Sequence, residues 1–213
     1  MSDVSVIIRC RNEERWIGHA IQSSADFFGS PEIVIVDDNS TDNSRRIIST
    51  FDFLDVKILN IDGDYSPGKS LNIGIKECTN DIILILSAHC VLTSVNFNKI
   101  QNLLSDHAAV WGKQIPIWNG KKVNRRYVWA NFKEEDQINY RAIEEDRLFL
   151  HNALCFYKKD FLLKNEFDEK LCGKEDRYWA QDVARDGHSI YYDSSLIAQH
   201  HYTENGSTWK GVG

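Results

Sequence analysis

Four short clusters carry side chains able to bind or move charge: Arg9-Cys10-Arg11, Asp37-Asp38, Ser87-Ala88-His89-Cys90 and Glu175-Asp176. Carboxylates such as Asp37 and Asp38 can accept hydrogen bonds from a base N–H or a ribose hydroxyl. Arg11 could meet a base or a phosphate, with Arg9 beside it on the same side of a strand. Ser87, His89 and Cys90 are small or metal-friendly groups at the end of an apolar run. Glu175 and Asp176 open a helix-like segment, where the helix dipole favours carboxylates. Lys69 stands at another helix start in "SPGKSLNIG", with Asn72 close behind and Gly68 permitting close backbone approach.

The elements that must position these groups are legible as short apolar runs. Strands are predicted over Val4 to Cys10, Glu32 to Asp38, Val56 to Ile61 and Asp81 to Leu86. Helical spacing fills the gaps: Glu13 to Phe27 with Asn12 as N-cap, a segment capped by Ser40 or Thr41, and one after the 62–69 loop. The strands are continuous rather than alternating, as expected of a parallel sheet covered on both faces. Ligands of such sheets bind beyond the carboxyl ends of the strands. That rule collects the first three clusters and the 62–69 loop at one edge. The second half predicts a strand at "VWGKQIPI", a turn at Asn119-Gly120, a strand entering a short helix at "NALCFYKKDFLLKN", a helix ending at Gly187, and two short strands in "HSIYYDSSLIAQHHY". The expected organisation is one continuous domain over 1–213, with a nucleotide-type half (1–110) and an acceptor-side, catalytic half (111–213).

Bulk properties narrow the class. The chain has 213 residues and a net charge of −6, which argues against a nucleic-acid-binding surface. Its five cysteines lack a C-x-x-C spacing, against a disulfide framework or structural zinc site. No signal peptide is evident, and the run "IILIL" is too short to span a bilayer. A cytoplasmic protein is expected, with at most a peripheral membrane contact.

"VSVIIRCRNEERWI", "EIVIVDDNSTDNS", the "DIILIL" strand, "GKEDRYWA" and the closing "HH" together resemble a family 2 inverting glycosyltransferase of the GT-A fold, over nearly the whole chain. The resemblance implies an α/β, Rossmann-like, mostly parallel sheet flanked by helices. It also implies transfer of a sugar from a nucleotide-activated donor, a UDP-sugar before others, to a saccharide or lipid-linked saccharide acceptor. A place in bacterial surface polysaccharide synthesis follows from it. Asp37 and Asp38 would hold the nucleoside, with Arg9, Arg11, Lys69, Asn72, Ser87 and His89 as further donor-site candidates. Asp176, with Glu175 as its neighbour, matches the family's general base. Plainer readings stand beside these: helix capping for Asp38, a surface ion pair for Arg11, a solvated helix start for Lys69, and dipole-favoured acids at 175–176.

The chain departs from the family at one motif. Most relatives hold Asp-x-Asp, with a divalent cation, where this sequence has Ser87 and His89. Three readings remain open there. His89 with His200 or His201 holds a softer metal such as Mn²⁺. Alternatively the site is metal-free, with His89 and Lys or Arg meeting the phosphate. In the third, the donor is a CMP-sugar with a single phosphate. A degenerate domain that binds nucleotide without turnover is the rival from another class. Trp118, Trp129 and Trp179 are candidates for sugar stacking. Lys121, Lys122, Arg125 and Arg126 form a basic run that suits an anionic acceptor or a solvated loop.

Overall fold

The computed structural model describes residues 3–123, 127–204 and 206–209. Strands β1 (Val4–Cys10), β2 (Glu32–Asp37), β3 (Asp55–Asn60) and β4 (Ile82–Ser87) pair in parallel in the order β3-β2-β1-β4. All of β2 is buried, which explains its unbroken apolar run. Helices α1 (Ile17–Phe28), α2 (Ser44–Ile48) and α3 (Pro67–Glu77) provide the crossovers. Ser66 accepts a hydrogen bond from Lys69 N (3.1 Å) and Pro67 follows it, a capped helix start.

Beyond β4 the sheet becomes mixed. β9 (Leu154–Lys158) runs antiparallel to β4 and to β6 (Ala109–Trp118). β10 (Ile190–His201) is parallel to β6, and β5 (Cys90–Ser94) is antiparallel to β10. Short strands β7 (Lys121–Lys122) and β8 (Gln137–Ile138) pair with β6 and β10. Helices α4 (Phe97–Asp106), α5 (Lys159–Lys164) and α6 (Glu175–Arg185) complete the chain. The sheet is parallel across β3-β2-β1-β4 and again between β6 and β10, with antiparallel pairs at β9, β5, β7 and β8. The β7 and β9 pairs follow from the tight β6–β7 turn at Asn119-Gly120 and the return of β9 between β4 and β6.

Only Ala88 and His89 separate β4 from β5, yet β5 lies four places away in the strand order. In a flat sheet that separation is about 19 Å. Three residue steps reach at most about 11 Å. The sheet must therefore curl until the ends of β4 and β10 meet. β10 helps by a register shift between Asp193 and Ile197. Gly112 permits that irregularity, since a Cβ there would lie 2.5 Å from Leu196 Cγ and 2.6 Å from its carbonyl oxygen.

Several local expectations are corrected. Helix α1 starts at Ile17, and Asn12 does not cap it. Instead Asn12 has a φ of 52° and its Oδ1 accepts from Thr41 N (2.7 Å), joining the two loops above β1 and β2. Ser40 and Thr41 do not cap α2; Asp42 Oδ1 accepts from Ser44 N (2.9 Å). "HSIYYDSSLIAQHHY" forms one bulged strand rather than two. The close approach at Gly68 is to the protein itself, because a Cβ there would sit 2.5 Å from the Asp168 carbonyl oxygen. Trp129 and Trp179 are buried among the core aromatics and cannot stack on a sugar. Arg125 and Arg126 lie outside the described residues. All five cysteines are free thiols.

Candidate active site

A cavity of about 510 Å³ opens beyond the carboxyl ends of β1, β2 and β4. Of the expected residues, Arg9, Arg11, Asp38, Ser87, His89, Glu175 and Asp176 line it. Asp37, Lys69, Asn72, His200 and His201 do not.

The acid pair at the end of β2 divides by geometry. Asp37 is fully buried and turned to its own loop: it accepts from Ser40 Oγ (2.5 Å) and Arg45 Nε (2.8 Å). Asp38 reaches the cavity, where Arg11 Nη1 lies 2.8 Å from its Oδ2. Lys69 turns away and its ammonium donates to the carbonyls of Asp62 and Asp64. Asn72 is a buried brace: it donates to Phe167 O (2.9 Å) and accepts from Phe167 N (3.0 Å).

The floor is formed at the start of α6. Asp176 accepts from Arg177 N at Oδ1 (2.8 Å) and from Asn152 N at Oδ2 (3.1 Å). These two donors lock its rotamer. Burial raises the Asp176 carboxyl above its ordinary value, against the pull of Arg177. Glu175 Oε1 lies 3.3 Å from Arg9 Nη1. Burial raises the Glu175 carboxyl too, opposed by Arg9 and reinforced by Asp176. A carboxylate so placed is more basic than an exposed one and is positioned to take a proton.

At the end of β4, His89 Nδ1 lies 3.1 Å from Glu13 Oε1, with both groups buried. The His89 ring is 4.8 Å from that of His200. His200 is fully buried and its Nδ1 is 2.7 Å from Gln114 Oε1, while Gln114 Nε2 meets His151 Nδ1 at 3.1 Å. Burial lowers His200 well below the ordinary imidazole value and lowers His151 to about 3. His201 alternates to the other side of β10, where it stacks on Trp16 at 3.9 Å in a small separate cleft with Trp118. Strand alternation therefore removes His201 from His89, and the His89–His200 pair, with one Nδ1 against Glu13 and the other against Gln114, gathers no metal-holding group of three among the described residues.

The donor set at the end of β4 does not fit the divalent cation that the family resemblance implies. Ser87 and His89 line the cavity there, Glu13 engages His89, and Asp38 engages Arg11. Among the described residues no three His, Cys, Asp or Glu side chains gather in a metal-holding arrangement.

Sequence reasoning missed Glu13, His151, Asn152, Lys174 and Arg177, which also line the cavity. Lys174 and Arg177 flank the Glu175-Asp176 pair, so their neighbourhood is the local signal for them. Nothing local marks Glu13, whose partner is 76 residues away.

The Glycosyl transferase family 2 model matches residues 5–166. Poly(ribitol-phosphate) beta-N-acetylglucosaminyltransferase TarS of Staphylococcus aureus is 23% identical over 184 residues, covering 83% of this chain and 31% of TarS. O-antigen chain rhamnosyltransferase WbaN of Salmonella anatum is 24% identical over 196 residues, covering 87% of this chain and 61% of WbaN. The chain thus spans less than two thirds of either relative. The crystal structure of TarS 1-349 in complex with UDP-GlcNAc superposes with a TM-score of 0.69 at 21% identity, over 99% of this chain and 61% of that one. Mannosyltransferase PcManGT from Pyrobaculum calidifontis, in complex with GDP-Man and Mn²⁺, gives 0.68 at 16% identity, over 96% and 58%. These structures share the GT-A fold. With its family match running from β1 past α5, the chain belongs to glycosyltransferase family 2.

Proposed function

We propose that this chain transfers a sugar, with inversion, from a UDP-sugar to a saccharide or lipid-linked saccharide acceptor in bacterial surface polysaccharide assembly. The observation that carries this reading is Asp176: a buried carboxylate, fixed by two backbone N–H groups, in a cavity whose other walls are the ends of β1, β2 and β4. The name of WbaN supports the acceptor class, and the TarS complex supports the donor class. In this reading residues 1–110 hold the donor and 111–213 carry the base and acceptor. No described helix is long and apolar enough to cross a membrane.

The residues divide the task. Asp38 and Arg11 meet the nucleoside. Asp176 takes the proton of an acceptor hydroxyl as its oxygen attacks the anomeric carbon. The bond to the donor phosphate breaks on the opposite face, and its electron pair leaves with the diphosphate. Glu175 holds Arg9 toward the cavity. General-base assistance of this kind is worth about 10²–10⁴-fold. The test is a donor panel of UDP-, GDP-, dTDP- and CMP-sugars, read by nucleotide release and by calorimetric binding, with EDTA and with Mn²⁺. Binding of UDP-sugars with slow release supports the reading. Binding confined to CMP-sugars replaces the donor, and nucleotide binding without release to any acceptor marks a domain without turnover.

A further inference from the structure

We propose that Glu13 and His89 act as a pair that presents the His89 Nε2–H to the leaving diphosphate, with Glu13 as the positioning residue. The proposal rests on the donor reading above and names what neutralises the leaving group.

The geometry begins with Glu13. Its carboxylate is buried, with Oε1 3.1 Å from His89 Nδ1 and Oε2 buried without a partner among the described residues. A carboxylate only accepts, so Nδ1 carries the hydrogen. This orients the ring with Nε2 on the other side, and Nε2 donates when the ring carries its second proton, so the proposed pair is a Glu13 carboxylate with a His89 imidazolium. Nε2 faces Gly206, where a Cβ would come within 3.5 Å of it, and both residues are on the cavity wall. A side chain at 206 would therefore stand against Nε2. Arg9 and Arg11 line the same wall, but their charge is shared with Glu175 and Asp38. The other groups around His89 are the neutral rings of His200 and His151, and His201 beyond the strand.

Atoms and electrons balance without a cation. The acceptor oxygen forms its bond to the anomeric carbon and gives its proton to Asp176. The old carbon–oxygen bond breaks and its electrons go to the phosphate oxygen. The His89 Nε2–H bond to that diphosphate strengthens as the charge develops, and the proton stays on His89. Hydrogen-bond donors aimed at developing charge are worth about 10²–10³-fold in other enzymes.

The experiment uses the full chain and calorimetric binding of UDP, UMP and uridine in EDTA, plus steady-state rates. The variants are Glu13→Gln, which keeps an acceptor for Nδ1 but removes the charge, and His89→Gln, whose amide places an N–H near Nε2. Expected are UDP binding by the wild type in EDTA and at least tenfold weaker UDP binding in Glu13→Gln, with UMP changed less than twofold. The rate should follow: kcat down at least tenfold with donor KM within about threefold, and His89→Gln retaining more activity than His89→Ala. UDP affinity equal in wild type and Glu13→Gln overturns the pair. So does UDP binding that appears only with Mn²⁺. Absence of binding to any of the three nucleosides or nucleotides in either condition overturns the donor reading itself, and the pair with it.

Discussion

Replacing Asp176 by Asn separates chemistry from folding. The side chain is 8% exposed and both carboxylate oxygens accept from backbone N–H groups, at 2.8 and 3.1 Å. An amide has one acceptor oxygen, so its NH₂ must face one of those donors. Leaving a buried donor unpaired costs about 1–3 kcal/mol. Against this, burial holds the Asp176 carboxyl above its usual range, so a neutral side chain relieves part of the penalty of burying a charge. The net change should be under about 2 kcal/mol, a melting shift of roughly 2–8 °C for a chain of this size. The rate should respond far more. Losing the base should lower kcat by about 10²–10⁴-fold, or roughly 3–5 kcal/mol of barrier. Nucleotide release in the presence of acceptor, calorimetric UDP binding and a thermal melt on the same preparation read all three quantities. UDP affinity should stay within about threefold. A kcat reduced less than about fivefold, in a variant that binds UDP and melts normally, would refute Asp176 as the base. In the wild type the acid limb of kcat/KM should lie above the ordinary aspartate value of 3.8, because the raised carboxyl must lose its proton before it can act.

The β2 acids should part company. Asp37→Asn should lower stability by about 1–3 kcal/mol in denaturant melts through its bonds to Arg45 and Ser40, while Asp38→Asn should weaken UDP binding and leave the melt nearly unchanged. Gly112→Ala should destabilise by about 1–3 kcal/mol, since its methyl would meet the Leu196 backbone as well as its side chain; an unchanged denaturation midpoint would mean the β10 bulge yields freely. Acid sensitivity should trace to buried imidazoles. Burial lowers His200, His151 (to about 3) and His201 (to about 4) in the folded chain, so unfolded chains gain protons first as pH falls below the ordinary 6.5. The stability they contribute is complete above pH 6.5 and is lost as the pH falls toward 3–4. Glu175 and Asp176, raised by burial, act in the opposite sense, so the slope is best read as a difference: His200→Gln should show a shallower loss of midpoint between pH 6.5 and 4 than the wild type.

The sequence by itself determined what depends on near neighbours. Apolar runs marked β1 to β4 and their parallel pairing, most plainly in β2 and β4, Asn119-Gly120 marked the β6–β7 turn, and Glu175-Asp176 marked the start of α6. It also placed the unusual Ser-Ala-His-Cys at a strand end. Only the tertiary structure decided which groups share the cavity. Asp37 and Asp38 are adjacent and chemically alike, and the turn above β2 alone sends one to Arg45 and the other to the site. His200 and His201 were equal candidates to join His89, but strand alternation sends them to opposite sides and only His200 meets it. Glu13 and His89 meet because β1 and β4 are parallel neighbours whose ends are brought level by pairing, with Arg9 opposite Ser87. His89 meets His200 because the sheet curls. Neither encounter leaves a local pattern, since each depends on strand order and curvature that form only when distant segments pack.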